Sequence, residues 1–146
     1  MAPMSVTFHK WTERRLSHWE AVRGKRTRIP GSTMALGRGD MPHDLGQMVV
    51  EAATGMDDGF WGSIAQGATF KSTGRKHTKP GRAVIAKNRD ALAEAERRAG
   101  EHIRRWQRGE GGDVAAELGR IDRAWRQLPA EGSMTIQWPS LEIALD

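Results

Sequence analysis

The chain has 146 residues, of which 38% are hydrophobic and 28% are charged, a balance typical of a folded protein. The absence of Cys excludes disulfides, thiolate zinc sites and cysteine nucleophiles. No apolar run has the length of a signal peptide or a membrane span. We therefore expect one soluble, cytoplasmic domain over residues 1–146 that makes no contact with a membrane.

The formal net charge of +5 is unevenly distributed along the chain. Residues 1–40 carry +5 and residues 63–109 carry +8, whereas residues 41–62 and 110–146 each carry −4. This segregation predicts a surface with separate basic and acidic patches, of which the basic ones would attract phosphate groups.

The first strand is predicted over SVTFHKW, residues 5–11, where β-forming residues alternate. The next segment, RLSHWEAVRGKRTRIPG, is compatible with a helix or with a hairpin, and the turn at Gly24 favours the hairpin. Residues 30–40 contain two turn clusters and are expected to form a loop.

A helix is predicted from about Met41 to Thr54, with Asp40 as its N-cap and Gly55 as a left-handed stop. Its apolar residues recur at the helical period and form one stripe that faces the core. The stripe consists of Leu45, Met48, Val49, Ala52 and Met56.

A second, shorter helix is predicted between a cap at Asp57 or Asp58 and a stop at Gly67. Residues 71–82 contain no apolar residue. The basic segment 71–87 is therefore predicted as a loop that is mobile in isolation.

Apolar periodicity predicts a long helix from Asn88 to Gly109 and another from a cap at Asp113 to Pro129. The short connection between them favours an antiparallel helical hairpin. The tail, SMTIQWPSLEIALD, alternates and predicts one strand that Pro139 interrupts.

Strands at both ends with helices between them predict an α+β fold. We expect a small antiparallel sheet, formed by the N-terminal hairpin and the C-terminal strand, to pack on about four helices.

Four motifs resemble those of a family of small uncharacterised bacterial proteins. They are PHDL at 42–45, VVE at 49–51, GFWG at 59–62 and LPAEGSMTIQWP at 128–139. The resemblance covers the first predicted helix and the last strand, and it covers residues 71–110 poorly. It implies that relatives often carry His at the position of Gln47, which gives an HDxxH pattern, and it implies no established activity.

A candidate metal site lies on the first predicted helix, where His43, Gln47 and Glu51 are spaced four residues apart and share one side. With Asp44, these side chains could hold a divalent metal such as zinc, with a water as nucleophile. A hydrolase-like enzyme, active or degenerate, is thus the alternative function. The array lies opposite the apolar stripe, which favours a solvated helix face, although Val50 on the same side indicates partial cover.

The second candidate site is the basic segment and the start of the helix that follows it. Phosphate binding needs several cations that reach a nucleic-acid backbone together. We predict binding of nucleic acid or another polyanion, such as an acidic protein, whereas a solvated loop is the structural alternative. The predicted contacts are Lys71, Arg75, Lys76, Lys79, Arg82, Lys87 and Arg89.

Catalytic residues are not assigned, because no GxSxG, Walker, HExxH or dinucleotide motif is present, and neighbouring Ser and His residues at 9–20 do not by themselves indicate a triad. Core packing is predicted for the six Trp, with base stacking as an alternative for Trp11 and Trp19. The sequence favours a non-enzymatic binding protein without a cofactor. An adaptor that binds a protein through the helical hairpin is a further alternative.

Overall fold

The computed structural model describes residues 3–25, 27–36, 41–70 and 78–145. In chain order, this part of the molecule contains β1 (Met4–Trp11), β2 (Leu16–Arg23), β3 (Thr27–Ala35), α1 (His43–Ala53), α2 (Phe60–Ala65), α3 (Lys79–Lys87), α4 (Arg89–Gln107), α5 (Asp113–Gln127), β4 (Ser133–Trp138) and β5 (Ile143–Leu145). Within these ranges, no helix combines the length and the apolar character needed to cross a membrane.

The strands form one antiparallel sheet in the order β3-β2-β1-β4-β5. β1 lies at its centre, where Phe8 pairs with Trp19 of β2 on one side and with Met134 of β4 on the other. The predicted α+β fold is confirmed, and so is the hairpin formed by β2 and the start of β3.

Strand β3 continues to Ala35, so the prediction of a loop over residues 30–40 is wrong for its first part. Residues 37–40 lie outside the described residues. The pairing of β2 with β3 shifts between His18 and Glu20, and beside this bulge a Cβ on Gly31 would overlap the carbonyl oxygen of Trp19. Gly31 therefore serves a close approach of two strands, not a turn.

The C-terminal segment forms two strands, not the single interrupted strand that was predicted. β4 and β5 pair antiparallel across a turn that contains the cis peptide bond between Trp138 and Pro139. Ile136 lies directly opposite Ile143 in this pair, so the apolar residues of β4 and β5 lie on the same face of the sheet. The predicted interruption of the strand at Pro139 is confirmed.

Helix α1 lies in the centre of the molecule, in contact with α2, α4 and α5. Pro42 occupies its N-cap position, the predicted cap Asp40 lies outside the described residues, and Gly55 follows the helix with φ +71° as predicted. Because α1 lies among these helices, residues outside its apolar stripe are buried as well.

Two predicted helix caps are wrong. Gly59, not Asp57 or Asp58, occupies the N-cap position of α2 and offers no side chain. Gly112 precedes α5, and Asp113 is the first residue of that helix. The long helices α4 and α5 pack against each other as the predicted hairpin.

The basic segment is not a loop throughout, because residues 79–87 form helix α3. The side chain of Thr78 caps this helix by accepting the N–H of Gly81 at 3.0 Å, and Pro80 fits its first turn. Half-buried Val84 and Ile85 supply the apolar side that residues 71–82 lack. Residues 71–77 lie outside the described residues.

The sheet has two different faces. Its inner face is buried and packs against α2, where the Trp61 ring lies 6.0 Å from Phe8 and 4.6 Å from Trp19, measured between ring centroids. The outer face alternates with it and is half-buried or exposed. Its side chains include Ser5, Thr7, His9, Trp11, His18, Glu20, Thr135 and Gln137.

Candidate functional site

The polar side of α1 is buried at Gln47 and Glu51, so its interpretation as a solvated face is wrong beyond His43. Gln47 has 2% of its surface exposed and Glu51 has 0%. The physical reason is the packing of α1 among α2, α4 and α5, which covers both of its sides. Val50, also buried, was the one sequence signal of this cover.

Glu51 binds the start of helix α2. One carboxylate oxygen accepts the backbone N–H of Trp61 at 3.0 Å. The other accepts the backbone N–H of Phe60 at 2.9 Å and the side-chain amide of Gln47 at 3.0 Å. Since Gly59 provides no side-chain cap, Glu51 satisfies N–H groups that would otherwise be buried without partners.

Burial raises the pKa of Glu51 to about 7, although its hydrogen bonds from Gln47, Trp61 and Phe60 oppose the shift. Gly59 lies against this carboxyl group, because an added Cβ would stand 2.6 Å from the Glu51 carboxyl carbon. The carboxyl group of Glu51 is therefore enclosed by the start of α2, and its contacts there are structural.

The predicted metal ligands are not brought together. Asp44 accepts the indole N–H of Trp19 at 2.9 Å, and its backbone oxygen accepts that of Trp61 at 2.9 Å. His43 is half-exposed and lies 3.8 Å from the Asp44 carboxylate, which raises the pKa of His43. Among the described residues, no three His, Asp or Glu side chains form a group that could hold a metal ion.

Helix α3 is anchored at both ends. At its start, Gly81 lies so close to Thr69 that an added Cβ would stand 2.6 Å from the Thr69 methyl carbon. The Thr69 hydroxyl also accepts the N–H of Thr78 at 3.3 Å. At its end, the side chain of buried Asn88 donates to Ser63 at 2.9 Å and to Gln66 at 3.0 Å. Its charges are thus held on a fixed support.

The cations of α3 share the side that faces away from this support. At 100° per residue, Lys79, Arg82 and Lys87 fall within an arc of about 140°, opposite Gly81 and Val84. All three are exposed, as is Arg89 at the start of α4. The structure thus brings four of the predicted contacts to one region, while Lys71, Arg75 and Lys76 lie outside the described residues.

These four cations have no carboxylate partner within the described ranges, whereas most cations of the helical hairpin have one, Arg104 and Arg123 being exceptions. On α4, Arg97 and Arg98 pair with Glu94 at 2.6 Å and 3.0 Å, and Arg105 pairs with Glu101 at 3.1 Å. The positive charge of α4 is therefore largely compensated, and that of α3 is not.

Sequence reasoning did not identify a cluster of rings on the outer sheet face. Trp11 stacks on His18 with centroids 5.0 Å apart and planes 5° from parallel, and His9 lies 5.9 Å from Trp11. The available signal was the alternation of residues 9, 11 and 18, which places them on one face across paired strands. Ser17 is buried on the opposite face, so it forms no pair with His18.

The packing prediction is confirmed for most Trp side chains. Trp19, Trp61, Trp125 and Trp138 are buried, and Trp106 is half-buried against the core. Trp11 is the exception, because its half-buried ring lies on the outer sheet face.

No family model matches the chain, and comparisons with curated proteins and with solved structures found no match. The resemblance through the PHDL, VVE and GFWG motifs stays a prediction.

Proposed function

We propose that this protein binds nucleic acid through phosphate contacts made by the basic segment 71–87, which includes helix α3. The observation that carries the proposal is the grouping of four exposed cations on α3 and at the start of α4, none of which has a carboxylate partner in the described part of the chain: Lys79, Arg82, Lys87 and Arg89. Cations that are not neutralised within the protein are available to replace the counterions of a polyanion.

The anchoring of α3 supports binding by reducing its entropic cost. The helix is capped by Thr78, packed on Thr69 and tied to α2 by Asn88. A backbone already fixed before binding leaves only the side chains to be ordered.

The spacing of the cations suits several phosphates. From Lys79 to Lys87 the helix rises about 12 Å, and each strand of a duplex carries a phosphate for every ~3.4 Å along the axis. The three cations therefore span about three or four phosphates, and none of these contacts reads a base edge.

Fluorescence anisotropy of labelled duplex and single-stranded oligonucleotides tests the proposal. We expect binding that weakens steeply between about 50 mM and about 200 mM salt, since neutralised phosphates release counterions. Excess polyglutamate serves as the acidic-protein control and should not displace the oligonucleotide. Displacement by polyglutamate would identify an acidic polypeptide as the better partner, and no binding at the lowest salt would overturn the proposal.

A further inference from the structure

The outer face of the sheet carries polar and aromatic side chains. Alternation turns Thr7, His9 and Trp11 of β1 and His18 and Glu20 of β2 to this face, and none of them is buried. The helices of the described chain cover the inner face instead, through contacts such as that between Phe8 and Trp61.

The rings of His9, Trp11 and His18 form one cluster, with every centroid separation between 5.0 Å and 6.2 Å. Hydrogen bonds hold its two histidines. His9 contacts the Glu20 carboxylate at 3.1 Å, and His18 contacts the Thr33 hydroxyl at 2.8 Å. The three half-buried rings stack on one another on the sheet face that the described helices leave uncovered, and a planar base could extend this stack.

Two arginines near the outer face could contact the phosphates of a nucleic acid. The guanidinium of Arg14 lies 5.6 Å from the centre of the Trp11 ring, and exposed Arg28 lies toward the opposite end of the strands. Between the rings and Arg28, a hollow of about 310 Å³ is lined by Ser5, Thr7, Glu20 and Arg28 among others. The carboxylate of Glu20 on this face is engaged by His9.

The end of the sheet that carries Arg28 is also connected to the region of α3. Arg23, at the end of β2, donates to the backbone oxygen of Ile64 in α2 at 2.9 Å. Gln66, two residues further along, accepts from Asn88 at the end of α3. The Arg28 end of the sheet and the anchor of α3 therefore meet at the end of α2.

We propose that the outer sheet face binds a single-stranded nucleic acid, with a base stacked on the Trp11 and His18 rings and phosphates contacting Arg14 and Arg28. The inference rests on the proposed function, because it specifies the form of nucleic acid bound. Strand β1 offers about 20 Å of open face from Trp11 to Ser5, and a duplex could not expose its bases to these rings.

The test compares labelled single-stranded and duplex oligonucleotides with the wild-type protein, Trp11→Leu and Trp11→Phe. Stacking predicts that Trp11→Leu weakens single-strand binding about tenfold or more and leaves duplex binding unchanged. Trp11→Phe, which keeps an aromatic ring, should retain most of the affinity. Circular dichroism confirms that each variant is folded.

Failure of this inference differs from failure of the proposed function. Equal single-strand affinity for wild type and Trp11→Leu, with binding that still depends on α3, would overturn only the role of the sheet. Loss of single-strand binding in Trp11→Leu, with no effect of α3 variants, would support the sheet and overturn the role of α3. No binding to either oligonucleotide would overturn both.

Discussion

The backbone N–H of Trp61 donates a hydrogen bond of 3.0 Å to the carboxylate of Glu51, ten residues earlier in the chain. With the bond from Phe60, this contact joins the central helix α1 to the start of α2. The sequence predicts Glu51 as a metal ligand or as part of a solvated helix face. In the structure, its carboxylate instead fixes the turn between α1 and α2.

Replacement of Glu51 by Ala should strongly destabilise the protein. The N–H groups of Phe60 and Trp61 would lose their acceptor in a buried place, which predicts a loss of about 3 kcal/mol in the free energy of unfolding. Glu51→Gln, which keeps one acceptor oxygen, should cost less. Urea unfolding gives the values, and exposed Glu96→Ala is the control, expected within about 0.5 kcal/mol of wild type. Equal stability of Glu51→Ala and Glu96→Ala would contradict the capping role.

The stability of the protein should depend on the protonation of Glu51. Its pKa is raised from 4.5 to about 7 in the folded chain, so the folded state binds more protons than the unfolded state between these values. The contribution of this group is complete below pH 4.5 and is lost as the pH rises through 7. The loss amounts to about 3 kcal/mol.

Unfolding of wild type and Glu51→Gln across this pH range isolates the effect, because the other ionisable groups are common to both. The difference in free energy of unfolding, wild type minus variant, should fall as the pH rises through 7 and become constant about one pH unit above it. A difference that does not change with pH would show that Glu51 titrates near its ordinary pKa.

The close packing of Gly81 on Thr69 should be needed to hold α3. Gly81→Ala places a methyl group against Thr69, and we expect faster amide exchange in α3 and weaker binding of nucleic acid. Thr69→Ala should restore part of the loss by removing two of the three clashing atoms, a coupling that a double-mutant cycle measures. Gly111→Ala is the matched control, because no atom lies within 4 Å of an added Cβ there. Unaltered exchange in Gly81→Ala would argue against the anchor.

Divalent metal should not stabilise the protein. Glu51 is enclosed by α2, and the carboxylate of Asp44 accepts from Trp19, so His43 lacks companions for a ligand set. The unfolding temperature should be the same with zinc and with EDTA. A rise with zinc that disappears in His43→Ala would revive the metal-dependent alternative.

Periodicity in the sequence was enough to predict the fold class, the central strand and the long helices. Leu118, Ile121 and Trp125 of α5, for example, are buried as their spacing indicates. In such elements a single apolar side faces the core, so the local sequence pattern predicts which residues are buried.

Where prediction failed, contacts between distant segments decided the outcome. Glu51 is buried because three helices surround α1, and β3 extends past Gly31 because β2 supplies its hydrogen bonds. Helix α3 escaped prediction because its anchor is a close approach at Gly81, which adds no hydrophobic signal. The exposed cations Lys79 and Arg82 could be predicted from composition, whereas their lack of carboxylate partners within the described residues required the structure.

The salt dependence of duplex binding tests the role of α3 most directly when three proteins are compared: the wild type, Lys79→Gln/Arg82→Gln/Lys87→Gln, and Arg97→Gln/Arg98→Gln/Arg105→Gln. Both variants lose three positive charges, but only the first loses cations without carboxylate partners in the described chain. We predict that the α3 variant binds more weakly and that its salt slope falls by about one for each lost phosphate contact. The α4 variant should keep the wild-type slope. An equal change in both variants, or in neither, would contradict binding through α3.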